Sequence, residues 1–247
     1  QRSDDLLMVY GKLVLGVSPS VFVMENVAGL TIGAAVGKLK EFVRLMERDY
    51  VVAVKILNAA LLGVPQVRRR VIVVGVKKDI AEAGFLPVHP EPLSSKPITV
   101  KDALPWSRLC AVATHENYNR RMIRSPNAPA FTLTAMSSNR ITVGIHPEPS
   151  LGDQPDDFEA PPISDAPRTT WRALQLLQSH KRLRPLKDQV YPTEGVPRRF
   201  SAFETRRLFS FPDDFKMTGD REKKLTRLGN SVPPLMARAV GEAIRDR

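Results

Sequence analysis

Cysteine is nearly missing from this 247-residue chain, which holds only Cys110. A single thiol excludes an internal disulfide framework and any zinc site built on several cysteines, so no metal site is expected. It fits a reducing compartment, cytoplasmic in a prokaryote or nuclear in a eukaryote. Long apolar runs are missing too. None reaches the roughly 20 residues that a membrane-crossing helix needs, and the N-terminus lacks a signal-peptide pattern. Acid is in short supply: 37 Lys and Arg stand against 26 Asp and Glu, a formal net charge of +11. That excess favours a polyanionic partner, nucleic acid above all. An initiator Met is absent, and the opening "QRSDDLLMVY" is already helical text. A preceding segment, on the same or another chain, is therefore expected.

What is there begins with regular structure. Ser3, Asp4 and Asp5 read as a helix start, with acids facing the positive end of the helix dipole. Leu6, Leu7, Tyr10, Leu13 and Val14 follow at helical spacing. "SPS" breaks the run, and "VFVMENV" is a nearly continuous apolar strand, the form expected when both faces of a parallel sheet are covered. Val36, Leu39, Phe42, Val43 and Met46 predict a second amphipathic helix. The strands "VVAVKIL" and "RRVIVVGV" come next, separated by the loop "NAALLGVPQV". Alternating helix and strand is the grammar of an open α/β sheet, whose ligands sit beyond the strand carboxyl ends.

From Ala81 the texture changes. Prolines cluster in "FLPVHPEPLSSKP", "HPEPSLGDQPDDFEAPPISDAP" and "YPTEGVP", with short β-like pieces, "AFTLTA" and "RITVGI", between them. The stretch from Leu151 to Pro167 has the composition of a disordered segment. Regular structure returns near Arg198. Ser201 and Glu204 form an S-x-x-E capping box, and "GNSVPP" opens a last helix in which Leu235, Val240 and Ile244 supply the buried face. The expected division is residues 1–80 as part of an α/β domain, 81–196 as a loop-rich region, and 197–247 as a return to the first domain.

Two places carry chemistry. The strand "VFVMENV" delivers the carboxylate of Glu25, followed by Asn26, to its tip; a helix-capping or solvated acid is the plain alternative. Gln66, Arg68 and Arg70 form a Q-x-R-x-R pattern entering a strand. Period-two alternation sends Arg68 and Arg70 to one side, where two guanidinium forks suit phosphate or a base carbonyl. A solvated basic patch is the alternative there.

Read in order, several segments resemble the DNA cytosine-C5 methyltransferase family. They are "ENV" at Glu25 to Val27, "LNAALLGVPQVRRRV" at Leu57 to Val71, "PITVKDAL", "SPNAPAFTLTA", "FETRRLFSFPDDF" and "GNSVPP". Phe203 stands where the family usually has Arg. The resemblance covers both chain ends well and the middle poorly. It implies a partial Rossmann-like S-adenosylmethionine-dependent sheet and a loop-rich target-recognition domain over residues 81–196.

The resemblance also implies roles. Glu25 would hold the edge of a cytosine flipped out of double-stranded DNA and assist protonation of its ring nitrogen. Asn26 would order that loop, and Arg70 would bind the base carbonyl. Arg68 would stabilise the catalytic loop or contact a phosphate. Asn230, Ser231 and Val232 would lie on the side of the cofactor, S-adenosyl-L-methionine. Thr132 and Thr134 are candidate contacts to the DNA backbone.

Two family features are absent from the sequence: the glycine-rich F-x-G-x-G strand end and the Pro-Cys-Gln loop that carries the nucleophile. Cys110, in "SRLCAVA", has no preceding proline and reads as structural. The chain is therefore expected to be the C-terminal part of such an enzyme, a split subunit or a truncated copy, inactive alone and needing a complementary chain that carries the missing motifs. Alternatives are a catalytically dead DNA-binding or accessory protein, and a fragment of a transfer-RNA cytosine-5 methyltransferase. The recognised base sequence is not legible.

Overall fold

The computed structural model of the chain describes residues 3–93, 96–105, 111–116, 120–133, 140–146 and 196–247. Cys110, Thr134 and the segment 151–167 lie outside them. The chain divides into two compact units. One comprises residues 1–59, 69–93 and 237–247, and the other residues 60–68 and 94–236.

The first unit starts with helix α1 (Ser3–Val17), strand β1 (Val21–Val27) and helix α2 (Ala35–Met46). Strands β2 (Tyr50–Asn58) and β3 (Arg69–Lys77) follow, then a short helix α3 (Lys78–Glu82). The apolar spacing foreseen for α2 is realised, since Leu39, Phe42 and Met46 share its buried face. They pack with Leu7 and Val14 of α1, Phe22 and Met24 of β1, and Val71 and Val73 of β3. Each such side chain, fully buried, contributes about 1.5–3 kcal/mol.

The three strands are ordered β1-β3-β2, and β3 pairs antiparallel with both neighbours. The sequence suggested parallel pairing around β1. The structure corrects this: β1 and β2 run in the same direction, but β3 lies between them and runs the other way. The long apolar run also has two meanings here. In β3, residues 71–76 are all buried, as a strand covered on both faces requires. In β1, Phe22 and Met24 are buried while Val23 and Val27 are exposed, so one face alone is covered.

A glycine sets the packing of this core. Phe22 stands opposite Gly75 in the β1–β3 register. Its ring occupies the space of a side chain there, because a Cβ on Gly75 would come within 2.0 Å of it. The same ring meets Tyr50 edge-on, at 5.1 Å between centroids.

The second unit contains helix α4 (Val100–Ala103) and strands β4 (Ala111–Glu116), β5 (Arg120–Arg124), β6 (Arg140–His146) and β7 (Val196–Arg199). The strands form an antiparallel sheet ordered β5-β4-β6-β7. Helices α5 (Ala202–Leu208) and α6 (Arg221–Asn230) complete it. Helix α7 (Pro234–Arg245) begins in this unit and ends in the first. "RITVGI" is a strand as foreseen, whereas the described part of "AFTLTA" is irregular chain with an isolated bridge between Ala130 and Gln66.

Residues 237–247 belong to the first unit and 197–236 to the second. Phe200, Leu208, Phe209 and Leu228 share a core with Val100, Leu104, Val112, Ala130, Phe131 and Leu133, which keeps 197–236 in the second unit. The capping box forms as foreseen. Ser201 Oγ accepts from the Glu204 amide at 3.0 Å, and Glu204 returns the bond to the Ser201 amide at 2.8 Å. In α7 the buried residues are Met236, Ala239 and Val240, so Leu235 and Ile244 are only half-buried.

Candidate functional site

In the first unit, Glu25 and Arg70 come together by register. Val27 is the direct partner of Arg70 across the β1–β3 ladder, which places Glu25 two positions away on the same face. The Arg70 Nε lies 2.8 Å from Glu25 Oε1, with the side chains 12% and 27% exposed. Burial lowers the Arg70 pKa from its ordinary value, and the Glu25 carboxylate works in the opposite direction. Arg70 also donates through Nη1 to the Arg69 carbonyl at 2.9 Å. Asn26 accepts the amide of the next residue, Val27, on its side-chain oxygen at 2.8 Å, at the last two positions of β1. The result is a half-buried carboxylate and a half-buried guanidinium, adjacent and oppositely charged, at the carboxyl end of a strand.

Arg68 lies elsewhere. It precedes β3, is fully buried (0% exposed), and belongs to the second unit. Its Nη1 donates to the Leu133 carbonyl at 3.0 Å, and its Nη2 to the carbonyls of Gly229 and Ser231 at 2.8 and 2.9 Å. The guanidinium also faces the Phe209 ring at 5.0 Å. The alternation rule fails here because Arg68 is not yet in the strand. A phosphate contact from Arg68 does not fit this geometry, whereas a role in holding loops does.

Gln66, the first member of the Q-x-R-x-R pattern, is equally buried. Its Nε2 donates to the Leu208 carbonyl at 3.2 Å, and its Oε1 accepts from the Leu133 amide at 3.1 Å. Thr132 also turns inward, its hydroxyl donating to the Val67 carbonyl. Gln66, Val67 and Arg68 thus tie residues 132–133, the end of α5 and residues 229–231 to the 60–68 segment. Polar residues at positions 66 and 68, beside Pro65 and Val67, were the available signal.

The chain at 230–232 holds the other candidates. Asn230 is exposed, and Ser231 is half-buried with its hydroxyl donating to the Leu228 carbonyl at 2.8 Å. Val232 is half-buried beside it. Among the described residues, no group of three or more His, Cys, Asp and Glu could hold a metal ion. No described helix is long and apolar enough to cross a membrane.

Comparison with solved structures gives the class first. The fold is similar to that of an E. coli prophage-encoded DNA modification methyltransferase, with a TM-score of 0.54 at 19% identity, over 98% of this chain and 74% of that one. It is also similar to the Entamoeba histolytica methyltransferase EhMeth, with a TM-score of 0.52 at 14% identity, over 92% of this chain and 63% of that one. These likenesses define an α/β fold of the methyltransferase kind.

The chain belongs to the C-5 cytosine-specific DNA methylase family, whose model matches residues 1–246. Among its relatives, the Type II methyltransferase M.XorII of Xanthomonas oryzae pv. oryzae is 31% identical over 275 residues, covering 98% of this chain and 62% of that protein. M1.HphI of Haemophilus parahaemolyticus is 30% identical over 258 residues, covering 98% and 60%. The chain thus spans about three-fifths of the length of these curated relatives.

Proposed function

We propose that this chain is part of a DNA cytosine-5 methyltransferase that grips a flipped cytosine between Glu25 and Arg70. The observation that carries the reading is the 2.8 Å Glu25–Arg70 pair at the end of β1. A cytosine edge presents an amino group and a ring nitrogen beside a carbonyl. A carboxylate accepts from the first two when the ring nitrogen is protonated, and a guanidinium donates to the third. The target carbon is hidden inside a stacked duplex, so the base must leave the stack before any chemistry.

In this reading Glu25 hydrogen-bonds the protonated ring nitrogen, which makes carbon 6 electrophilic. Arg70 binds the base carbonyl, and Asn26 keeps the loop after β1 in place. Arg68 and Gln66 position residues 132–133 and the turn at 229–231 without touching the base. An exposed amide at Asn230 and a hydroxyl at Ser231, on backbone fixed by Arg68, fit the polar groups of S-adenosyl-L-methionine. Val232 would lie alongside. When bound, that cofactor supplies the methyl group for carbon 5.

The nucleophile comes from residues outside these 247, on the same or another polypeptide, because the one cysteine does not sit in a Pro-Cys-Gln setting. Residues 81–196 take the role of target recognition, with Thr134 as a candidate backbone contact. The net charge of +11 supports double-stranded DNA as the partner. The Type II relatives support a place in restriction–modification.

The test is complementation. The chain is mixed with a polypeptide carrying the F-x-G-x-G and Pro-Cys-Gln motifs, and transfer of labelled methyl groups to varied duplexes is measured. Transfer that needs both components is expected. Duplex binding without any transfer would instead favour a catalytically inactive accessory protein, and transfer to RNA alone would favour the transfer-RNA branch.

A further inference from the structure

A cluster of basic and aromatic side chains in residues 201–224 of the second unit has no part in the function proposed above. A cavity of about 550 Å³ opens there, lined in part by Phe203, Arg206, Phe215, Lys216, Arg221 and Lys224. Its most informative member is Arg206. The guanidinium stacks on the Phe203 ring, with Cζ 4.9 Å from the ring centre, and its Nη1 donates to the Phe215 carbonyl at 2.8 Å. Nε and Nη2, which form the other edge of the fork, are buried and meet no acceptor among the described residues. An unmet buried donor on a charged group is costly. Two on one guanidinium edge have the spacing that receives a pair of oxygens from one oxyanion.

The charges around the fork favour an anion. Arg206, Lys216, Arg221 and Lys224 line the cavity, and the acids lining it are Asp213 and Asp214. Asp213 is already engaged by Arg207 through both carboxylate oxygens. Asp214 is exposed and is the remaining opposing charge. The Phe203 ring is also within cation–π range of Arg207, at 5.3 Å. Arg207 is committed to Asp213, while the buried Nε–Nη2 edge of Arg206 has no acceptor among the described residues.

We infer that this cavity is an oxyanion site in which the Arg206 side chain shifts to bring its Nε–Nη2 edge, buried and unmet as it stands, onto a phosphate group. The phosphate belongs either to a nucleic-acid backbone or to a free phosphate ion. The first source rests on the DNA-binding function proposed above, and the second does not.

Three proteins are compared: the unaltered chain, Arg206→Lys, which keeps the charge without the fork, and Arg206→Gln. Circular dichroism establishes that each is folded. Thermal unfolding is followed in inorganic phosphate and in chloride at equal ionic strength, and duplex binding is followed by fluorescence anisotropy across a salt series. For the duplex, Arg206→Gln is expected to weaken binding severalfold and to lower the slope of log K against log salt by about one. Arg206→Lys is expected to weaken binding while keeping the slope. For free phosphate, the unaltered chain gains melting temperature with phosphate concentration, and both variants lose that gain.

A change in the duplex series alone assigns the site to backbone phosphate, and a change in the phosphate series alone assigns it to free phosphate. No difference between the folded Arg206→Lys chain and the unaltered chain in either series overturns the site. Methyl transfer in the complementation assay is scored separately, so the proposed function stands or falls without this result.

Discussion

Glu25 and Arg70 are partners before any base arrives: Oε1 and Nε lie 2.8 Å apart across two register positions of β1 and β3. Each holds the other's side chain in place, and gripping a cytosine requires them to share their bonds with the amino group, ring nitrogen and carbonyl of its hydrogen-bonding edge. In the complemented assembly, Glu25→Gln is expected to slow methyl transfer by at least about a hundredfold, the lower range for a lost acid–base group. Duplex binding should change little, since an amide still fills the space. Single-turnover methyl transfer and anisotropy measure the two effects, and an unchanged transfer rate would remove Glu25 from its assigned role.

Arg68 predicts a different kind of loss. Three carbonyls depend on one buried guanidinium. Lys cannot reach them together, because its ammonium is a compact point on a flexible stem. Arg68→Lys should destabilise the second unit by about 2–4 kcal/mol, since hydrogen bonds to charged groups are each worth about 1.5–3 kcal/mol. Urea denaturation followed by tryptophan-independent circular dichroism measures it. A loss within error of zero would show that the carbonyls find other donors.

Gly75→Ala tests the packing of the first unit. The added methyl would meet the Phe22 ring at 2.0 Å, so the ring, wedged against Tyr50 and Phe42, must move. Overpacking of this kind costs about 1–3 kcal/mol. A lowered melting temperature is expected, and pairing the change with Phe22→Leu should restore part of it.

His89 gives the chain a pH dependence. Its Nε2 lies 3.0 Å from the Ile72 carbonyl, an acceptor only, so the neutral ring carries its proton there. Burial lowers its pKa from 6.5, the Ile72 bond opposes this, and the Lys55 charge lowers it further. The unfolded chain therefore takes up a proton at higher pH than the folded one. The stability that neutral His89 contributes is complete above the unfolded pKa and is lost as pH falls through the folded value. Melting temperature should fall from about pH 7 to pH 5, and His89→Gln should flatten that slope. Equal slopes in both proteins would show that other groups set it.

Local patterns of the fold were legible where they depend on neighbours in sequence. The spacing of Leu39, Phe42 and Met46, and the Ser201–Glu204 box, needed nothing distant to be realised. Strand direction was not legible, because the placement of β3 between β1 and β2 is decided by pairing across the chain. The acid at Glu25 and the arginine at Arg70 could be picked out singly, but their meeting depended on the β1–β3 register. Arg68 was misjudged by alternation for a related reason. A residue one place before a strand follows its hydrogen-bond acceptors, here carbonyls more than 60 positions away, rather than the strand's period.

The nine residues 60–68 have a consequence for anyone who transplants parts of this protein. They are encoded between two strands of one unit and yet are compact with the other. Exchanging residues 81–196 for those of a relative would put a foreign residue in place of Leu133, whose amide and carbonyl bond Gln66 and Arg68, while their bonds to Leu208, Gly229 and Ser231 stay native. A graft that respects the interior would have to carry two pieces, 60–68 and 94–236. Inherited modularity in this chain is therefore that of a two-part cassette, with a short leader spliced into its host's strands.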